Sequence, residues 1–106
     1  KARDFLYSET YRDGNYEYRH VRLPKEYARC IPKDRLLTEH EWRSMGVQQS
    51  HGWVNYASHK PERHVLLFRR PLGTDPRTGR VDPARREEAK KLYEMEFEAE
   101  SKAVEE

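Results

Sequence analysis

The sequence is poor in cysteine. Cys30 is the one thiol in 106 residues, so no disulfide within the chain is available. A chain without disulfides fits a reducing compartment. Long apolar runs are missing too, and no stretch has the form of a signal peptide or of a membrane-spanning helix. Five histidines occur, yet no cysteine–histidine spacing matches a zinc site. There is no glycine-rich phosphate loop and no nucleophile elbow. Ser50 beside His51 is adjacency along the chain, not a catalytic triad. These absences point away from metal, cofactor and hydrolytic chemistry, so no catalytic residue, metal or cofactor is expected.

What the chain has is charge. Charged residues make up 38% and hydrophobic residues 35%, with a mean hydropathy of −1.21. That is too polar for a large core. Most apolar residues lie before Pro71, which predicts a packed body of about 70 residues followed by a charged extension. From Ala84 onward there are five Lys or Arg against eight Glu, and before it sixteen basic against eleven acidic residues. A basic body suggests an anionic partner. On charge alone, ordinary surface solvation explains the same numbers.

Residues 5–11 (FLYSETY) are aromatic-rich and predict a first strand. Residues 12–15 (RDGN) predict a turn, with Gly14 and Asn15 available for positive φ. Residues 16–23 predict a second strand, hence a hairpin. Alternation puts Tyr16, Tyr18 and His20 on one face and Glu17, Arg19, Val21 and Leu23 on the other. Arg19 therefore shares a face with apolar residues, so it either snorkels or binds something. Pro24 can open a short helix that Pro32 stops. Thr38-Glu39-His40-Glu41 is a capping box, Trp42 and Met45 would face the core, and Gly46 would end the helix as a left-handed cap. Residues 52–58 predict a third strand, and residues 63–70, with an apolar middle, a central fourth. Residues 73–82 read as a linker. Asp82-Pro83 is a good helix start, and the helix after it carries Ala89, Leu92, Tyr93, Ala99 and Ala103 along one side. The expected organisation is an α+β body over residues 1–72, a linker over 73–82 and a charged helical extension over 83–106.

Four residues stand out chemically. An arginine fork matches a pair of phosphate oxygens, and Arg19 and Arg70 could surround one phosphate. The Ser50 hydroxyl and the Trp53 indole N–H are neutral donors able to complete such a cage. Spacing does not establish that they converge, and edge-of-sheet surface charge is the plainer account of the arginines.

Three ordered motifs carry a resemblance. They are Tyr16-Glu17-Tyr18-Arg19-His20-Val21-x-Leu23-Pro24-Lys25, then Glu41-Trp42-Arg43-x-x-Gly46-Val47-Gln48-Gln49-Ser50-x-Gly52-Trp53, then His64-Val65-Leu66-Leu67-Phe68-Arg69-Arg70-Pro71. Together they resemble the Cks family, the small regulatory subunits of cyclin-dependent kinases. The resemblance covers roughly residues 6–71, and nothing after Leu72 takes part in it. It implies a four-stranded antiparallel sheet with short helices and no catalytic activity. It implies a kinase-docking surface at Tyr56, Ala57, His59, Pro61 and Glu62. It also implies a separate pocket for phosphothreonine at Arg19, Ser50, Trp53 and Arg70, serving multi-site phosphorylation of kinase substrates in cell-cycle control. The implied partners are a cyclin-dependent kinase with its cyclin and phosphorylated substrate proteins, in nucleus and cytoplasm. No membrane partner is expected, and a nucleic-acid partner is the less favoured reading.

Three departures from the family pattern matter. Thr10 stands where the family pocket usually has a cation, and Arg12, of the same strand parity, is the candidate substitute. Ala57 and Ser58 replace larger apolar residues on the kinase-facing strand. The hinge His59-Lys60-Pro61-Glu62-Arg63-His64 has Arg63 at the family's second proline. A strained hinge invites strand exchange, so its relaxation predicts mainly monomer. Two alternatives stay open: a kinase-docking protein whose phosphate pocket is lost or covered by its acidic extension, and a basic module that binds single-stranded nucleic acid.

Overall fold

β3 (Tyr16–Arg22) and β5 (Glu62–Pro71) form the middle of the sheet, paired antiparallel with Glu17 opposite Arg70 and Arg19 opposite Phe68. The computed structural model describes residues 4–105, with side chains of the last helix described as far as Ala99. Residues 1–3 and 106, at the ends of the expected body and extension, and the Ala103 side chain lie outside the described residues. β4 (Val54–His59) borders β5 on one side. On the other side, β1 (Leu6–Tyr7) and β2 (Tyr11–Arg12) both pair with β3. The sheet is antiparallel and four positions wide, with five strands because its outer position is shared.

Residues 5–11 thus do not form one strand. The Ser8 hydroxyl accepts from the His20 N–H at 2.9 Å, and the Ser8 N–H donates to the His20 carbonyl at 3.0 Å. A side-chain oxygen takes over one ladder bond there, and the chain leaves the ladder until Tyr11. The following turn is held by Asp13, whose carboxylate accepts from the Asn15 and Tyr16 N–H groups and from the Tyr18 hydroxyl. That Asx turn works without a positive φ at Gly14.

Pro24 caps a 3₁₀ helix, Lys25–Cys30, rather than occupying its first position. α1 (Glu39–Met45) follows with the capping box in place. Thr38 Oγ1 accepts from the Glu41 N–H at 3.2 Å, and Glu41 Oε1 accepts from the Thr38 N–H at 2.9 Å. Gly46 ends it at φ 114°. Trp42 is buried against Phe68, edge to face at 5.2 Å. Val21, Leu66 and Phe68 from the sheet and Leu23 just beyond β3, with Trp42, Trp53, Val47, Ile31, Leu37 and Phe5, make the core. β5 is fully flanked, which is why its run from Val65 to Phe68 is apolar.

Residues 73–82 fold back on the body. Thr74 is buried and bridges Val81, the Gly79 N–H donates to the Asp75 carbonyl at 2.7 Å, and the Asp82 N–H donates to the Gly73 carbonyl at 2.9 Å. α2 (Pro83–Glu105) then runs past the turn between β2 and β3. Tyr93 is half-buried beside Gly14, whereas Leu92, Met95 and Phe97 are exposed. Among the described residues no helix is long and apolar enough to cross a membrane.

Candidate anion-binding site

The sheet face that carries the core also carries a row of charge at its end. Glu17 and Arg70 lie opposite one another, next to the Arg19–Phe68 pair, so three ionic side chains project to one side. Val21, Leu23, Leu66 and Phe68 continue that face into the core. Charge appears where the hydrophobic cover of α1 gives way to the loop over residues 46–53.

That loop brings two more groups. Arg43 on α1 stacks on Trp42 at 4.4 Å and donates to the Gln49 carbonyl at 3.0 Å, tying the loop to the helix. The His51 N–H donates to the Pro76 carbonyl at 2.9 Å, so the turn after β5 supports the loop from its far side. Gly52, at φ 99°, has Thr74 so close that a Cβ there would meet Thr74 Cγ2 at 2.6 Å. Only glycine takes both the conformation and the contact without rearrangement.

Arg19, Ser50, Trp53 and Arg70 converge. Arg70 Cζ stands 4.3 Å from the centre of the Trp53 ring, and Arg19 Cζ 5.4 Å from it. Arg70 Nη1 donates to Ser50 Oγ at 3.0 Å and to the His51 carbonyl at 3.1 Å. Arg70 Nε donates to the Glu17 carboxylate. Arg19 Nε and Trp53 Nε1 are buried donors with no partner. Burial first, and then the neighbouring Arg70 charge, pull the Arg19 guanidinium below the usual arginine value. An arginine keeps its proton, so that pull is electrostatic free energy an anion would relieve. Two crowded guanidiniums, a hydroxyl and unpartnered N–H donors together have the chemistry that suits an oxyanion.

The other expected positions are placed differently. Thr10 is exposed between β1 and β2. Arg12 pairs with Glu17 in register but is hydrogen-bonded to Glu96 of α2. Tyr56 lies on the opposite sheet face, with Tyr18 at 5.9 Å and Arg69 over its ring at 5.1 Å. Ala57 pairs with Leu67 beyond a bulge in β4, and His59 Nδ1 lies 3.8 Å from Glu62 Oε1 where the β4–β5 hairpin closes. Lys60 and Pro61 are its turn, while Glu62, Arg63 and His64 already belong to β5. Among the described residues no group of three His, Cys, Asp or Glu is arranged to hold a metal ion.

Sequence reasoning missed four contributors. Alternation puts Glu17 on the face of Arg19, but its pairing with Arg70 depends on register. Arg43 acts through backbone carbonyls, which leave no signature in side-chain types. Tyr7 flanks Arg19 at 5.9 Å, and its hydroxyl accepts from the Gln48 N–H at 2.8 Å. Gln49 is half-buried, with both of its buried amide atoms unpartnered.

A family model described as cyclin-dependent kinase regulatory subunit matches residues 5–72. A Caenorhabditis briggsae protein named cyclin-dependent kinases regulatory subunit is 58% identical over 79 residues, which is 74% of this chain and 84% of that protein. A Drosophila melanogaster protein of the same name is 60% identical over 70 residues, 66% of this chain and 95% of its own length. The Arabidopsis thaliana cyclin-dependent kinases regulatory subunit 2 is 62% identical over 66 residues, 62% of this chain and 80% of its own.

Proposed function

This chain belongs to the family of cyclin-dependent kinase regulatory subunits, and we propose that it is a non-catalytic adaptor joining such a kinase to its phosphorylated substrates. A phosphothreonine dianion sits between the Arg19 and Arg70 guanidiniums and takes charge-assisted hydrogen bonds from both. Ser50 Oγ and Trp53 Nε1 add neutral hydrogen bonds. The kinase docks on the other sheet face and hairpin, at Tyr56, Ala57, His59, Pro61 and Glu62. Holding one phosphorylated residue keeps the substrate near the kinase and raises its effective concentration for the next phosphorylation. The adaptor acts with its kinase in nucleus and cytoplasm. The observation that carries this reading is the pair of buried, unpartnered donors, Arg19 Nε and Trp53 Nε1, beside a second guanidinium.

The test is a titration of a phosphothreonine-proline peptide against wild type and Arg70→Ala, with the unphosphorylated peptide as control. Loss of one charge-assisted contact, about 1.5–3 kcal/mol, predicts binding weaker by about tenfold or more in the variant. Binding indifferent to the phosphate or to Arg70 would overturn the pocket. A second reading is favoured by Thr10, which offers no cation, and by Glu17 on Arg70. In it the chain docks a kinase while its pocket stays closed, and a kinase pull-down stays positive when phosphopeptide binding is absent. A nucleic-acid module would instead show a steep salt slope with single-stranded DNA or RNA.

A further inference from the structure

We propose that α2 is a built-in competitor of phosphopeptides: through Glu96 it occupies Arg12, a further cation of the anion site, so that ligand binding requires this contact to be exchanged. The inference rests on the phosphate reading above and adds to it a residue and a regulator that lie in the extension.

Register places Arg12 first. It pairs with Glu17, and Glu17 pairs with Arg70, so Arg12, Glu17 and Arg70 form one row across β2, β3 and β5. Directly paired residues project to the same side of a sheet, so Arg12 faces as Arg70 does. Thr10, next to it, brings no charge. Arg12 is therefore the cation best placed to supplement Arg19 and Arg70. Its Nε and Nη2 both donate to Glu96 Oε1, from a residue 84 positions away. Between α2 and the sheet lies a cleft of about 600 Å³, lined by Thr10, Arg12, Glu17, Tyr93, Glu96 and Phe97 among others. Both carboxylates there, Glu17 on Arg70 and Glu96 on Arg12, stand where a phosphopeptide would bring negative charge.

The charge order of α2 fits this role. Arg85, Arg86, Lys90 and Lys91 fall in its first half, whereas from Glu94 onward six Glu face one Lys. Acidic residues near a helix C-terminus oppose its macrodipole, so they do not favour the helix by itself. One of them, Glu96, is matched instead by a cation on the body, Arg12. The helix is also built to let go. Leu92, Met95 and Phe97 are exposed, and an element that buries little apolar surface opens at low free energy.

The experiment titrates the full chain with the same phosphothreonine-proline peptide, comparing wild type with Glu96→Gln, Glu98→Gln, Arg12→Ala and the Arg12→Ala/Glu96→Gln double variant. Exposed ion pairs are weak, so Glu96→Gln is expected to tighten binding by about two- to fivefold. The gain should shrink at high salt. Glu98→Gln should not change affinity. Arg12→Ala should weaken binding, and the double variant should match it. Glu96→Gln binding like wild type, while Arg70→Ala still weakens phosphate-dependent binding by about tenfold or more, overturns this inference and leaves the adaptor reading standing. An equal gain in the Arg12→Ala background also overturns it. If no variant binds in a phosphate-dependent way, the adaptor reading itself fails and takes this inference with it.

Discussion

Asn55 carries more structure than its size suggests. It is buried, its Oδ1 accepts from the Leu37 N–H at 2.9 Å, and its Nδ2 donates to the Ala57 carbonyl at 2.9 Å and the Leu67 carbonyl at 3.1 Å. β4 bulges between Asn55 and Ala57, and the side-chain amide satisfies groups the broken ladder leaves over. Asn55→Ala strands buried donors and acceptors, so unfolding free energy should fall by about 2 kcal/mol or more, read as a lower urea midpoint at unchanged slope. Asn55→Asp keeps the acceptor for Leu37 but removes the two donated bonds, and should also destabilise. Stability equal to wild type in both variants would contradict this account. Asn55 was not legible in the sequence, where one polar residue in a strand reads as a solvent-facing position. Arg19 was legible, because strict alternation in β3 put it beside Val21 and Leu23. Its meeting with Arg70 required the register, and the places of Ser50 and Trp53 came from the family motif rather than from any periodicity.

Elements were read best where local chemistry decides them. The capping box of α1 and its glycine stop follow from adjacent residues, and both stand as expected. The first strand failed because Ser8 competes for a ladder bond, a choice made by its distance from His20 rather than by strand propensity. Residues 73–82 look like a linker in composition, yet their backbone bonds go to one another and to His51, which no composition reveals. The cap of α1 also gives a pH prediction. The bidentate Arg35 contact first, and then the Thr38 backbone, lower the Glu41 carboxyl from 4.5 to about 2. A depressed folded value means the stabilisation is fully present above 4.5 and is lost as pH falls toward about 2. Glu41→Gln lacks that charge, so its stability should fall less steeply with pH across this window than that of wild type. Thermal melts through the window check it, and parallel slopes would refute it. Thr38→Ala should cost about 1 kcal/mol by loss of the N-cap acceptor, largely independent of pH.

At the scale of the whole molecule, the question is whether one chain keeps its own β5. β5 lies between β3 and β4 of the same chain, and the hairpin that returns it turns tightly at Lys60 and Pro61. Exchange of β5 between two chains would straighten that turn. A hinge with two prolines resists the tight turn and gains by extending, whereas Arg63 can adopt the closed conformation freely. Glu62 adds contacts made in the closed form, with His59 at 3.8 Å and Arg22 at 3.4 Å. Light scattering at micromolar concentration should therefore give the 12.8 kDa monomer, and Arg63→Pro should raise the dimer share. A stable wild-type dimer would contradict this. Exchange would also carry Arg70 and α2 with β5 into the neighbouring chain, since both follow the hinge in sequence. Each anion site would then take Arg19, Ser50 and Trp53 from one chain and Arg70 from the other. Phosphopeptide stoichiometry should stay at one per chain in an Arg63→Pro dimer. Mixing Arg70→Ala with Arg19→Ala chains in that background should restore some intact sites, which monomers of the same variants cannot do.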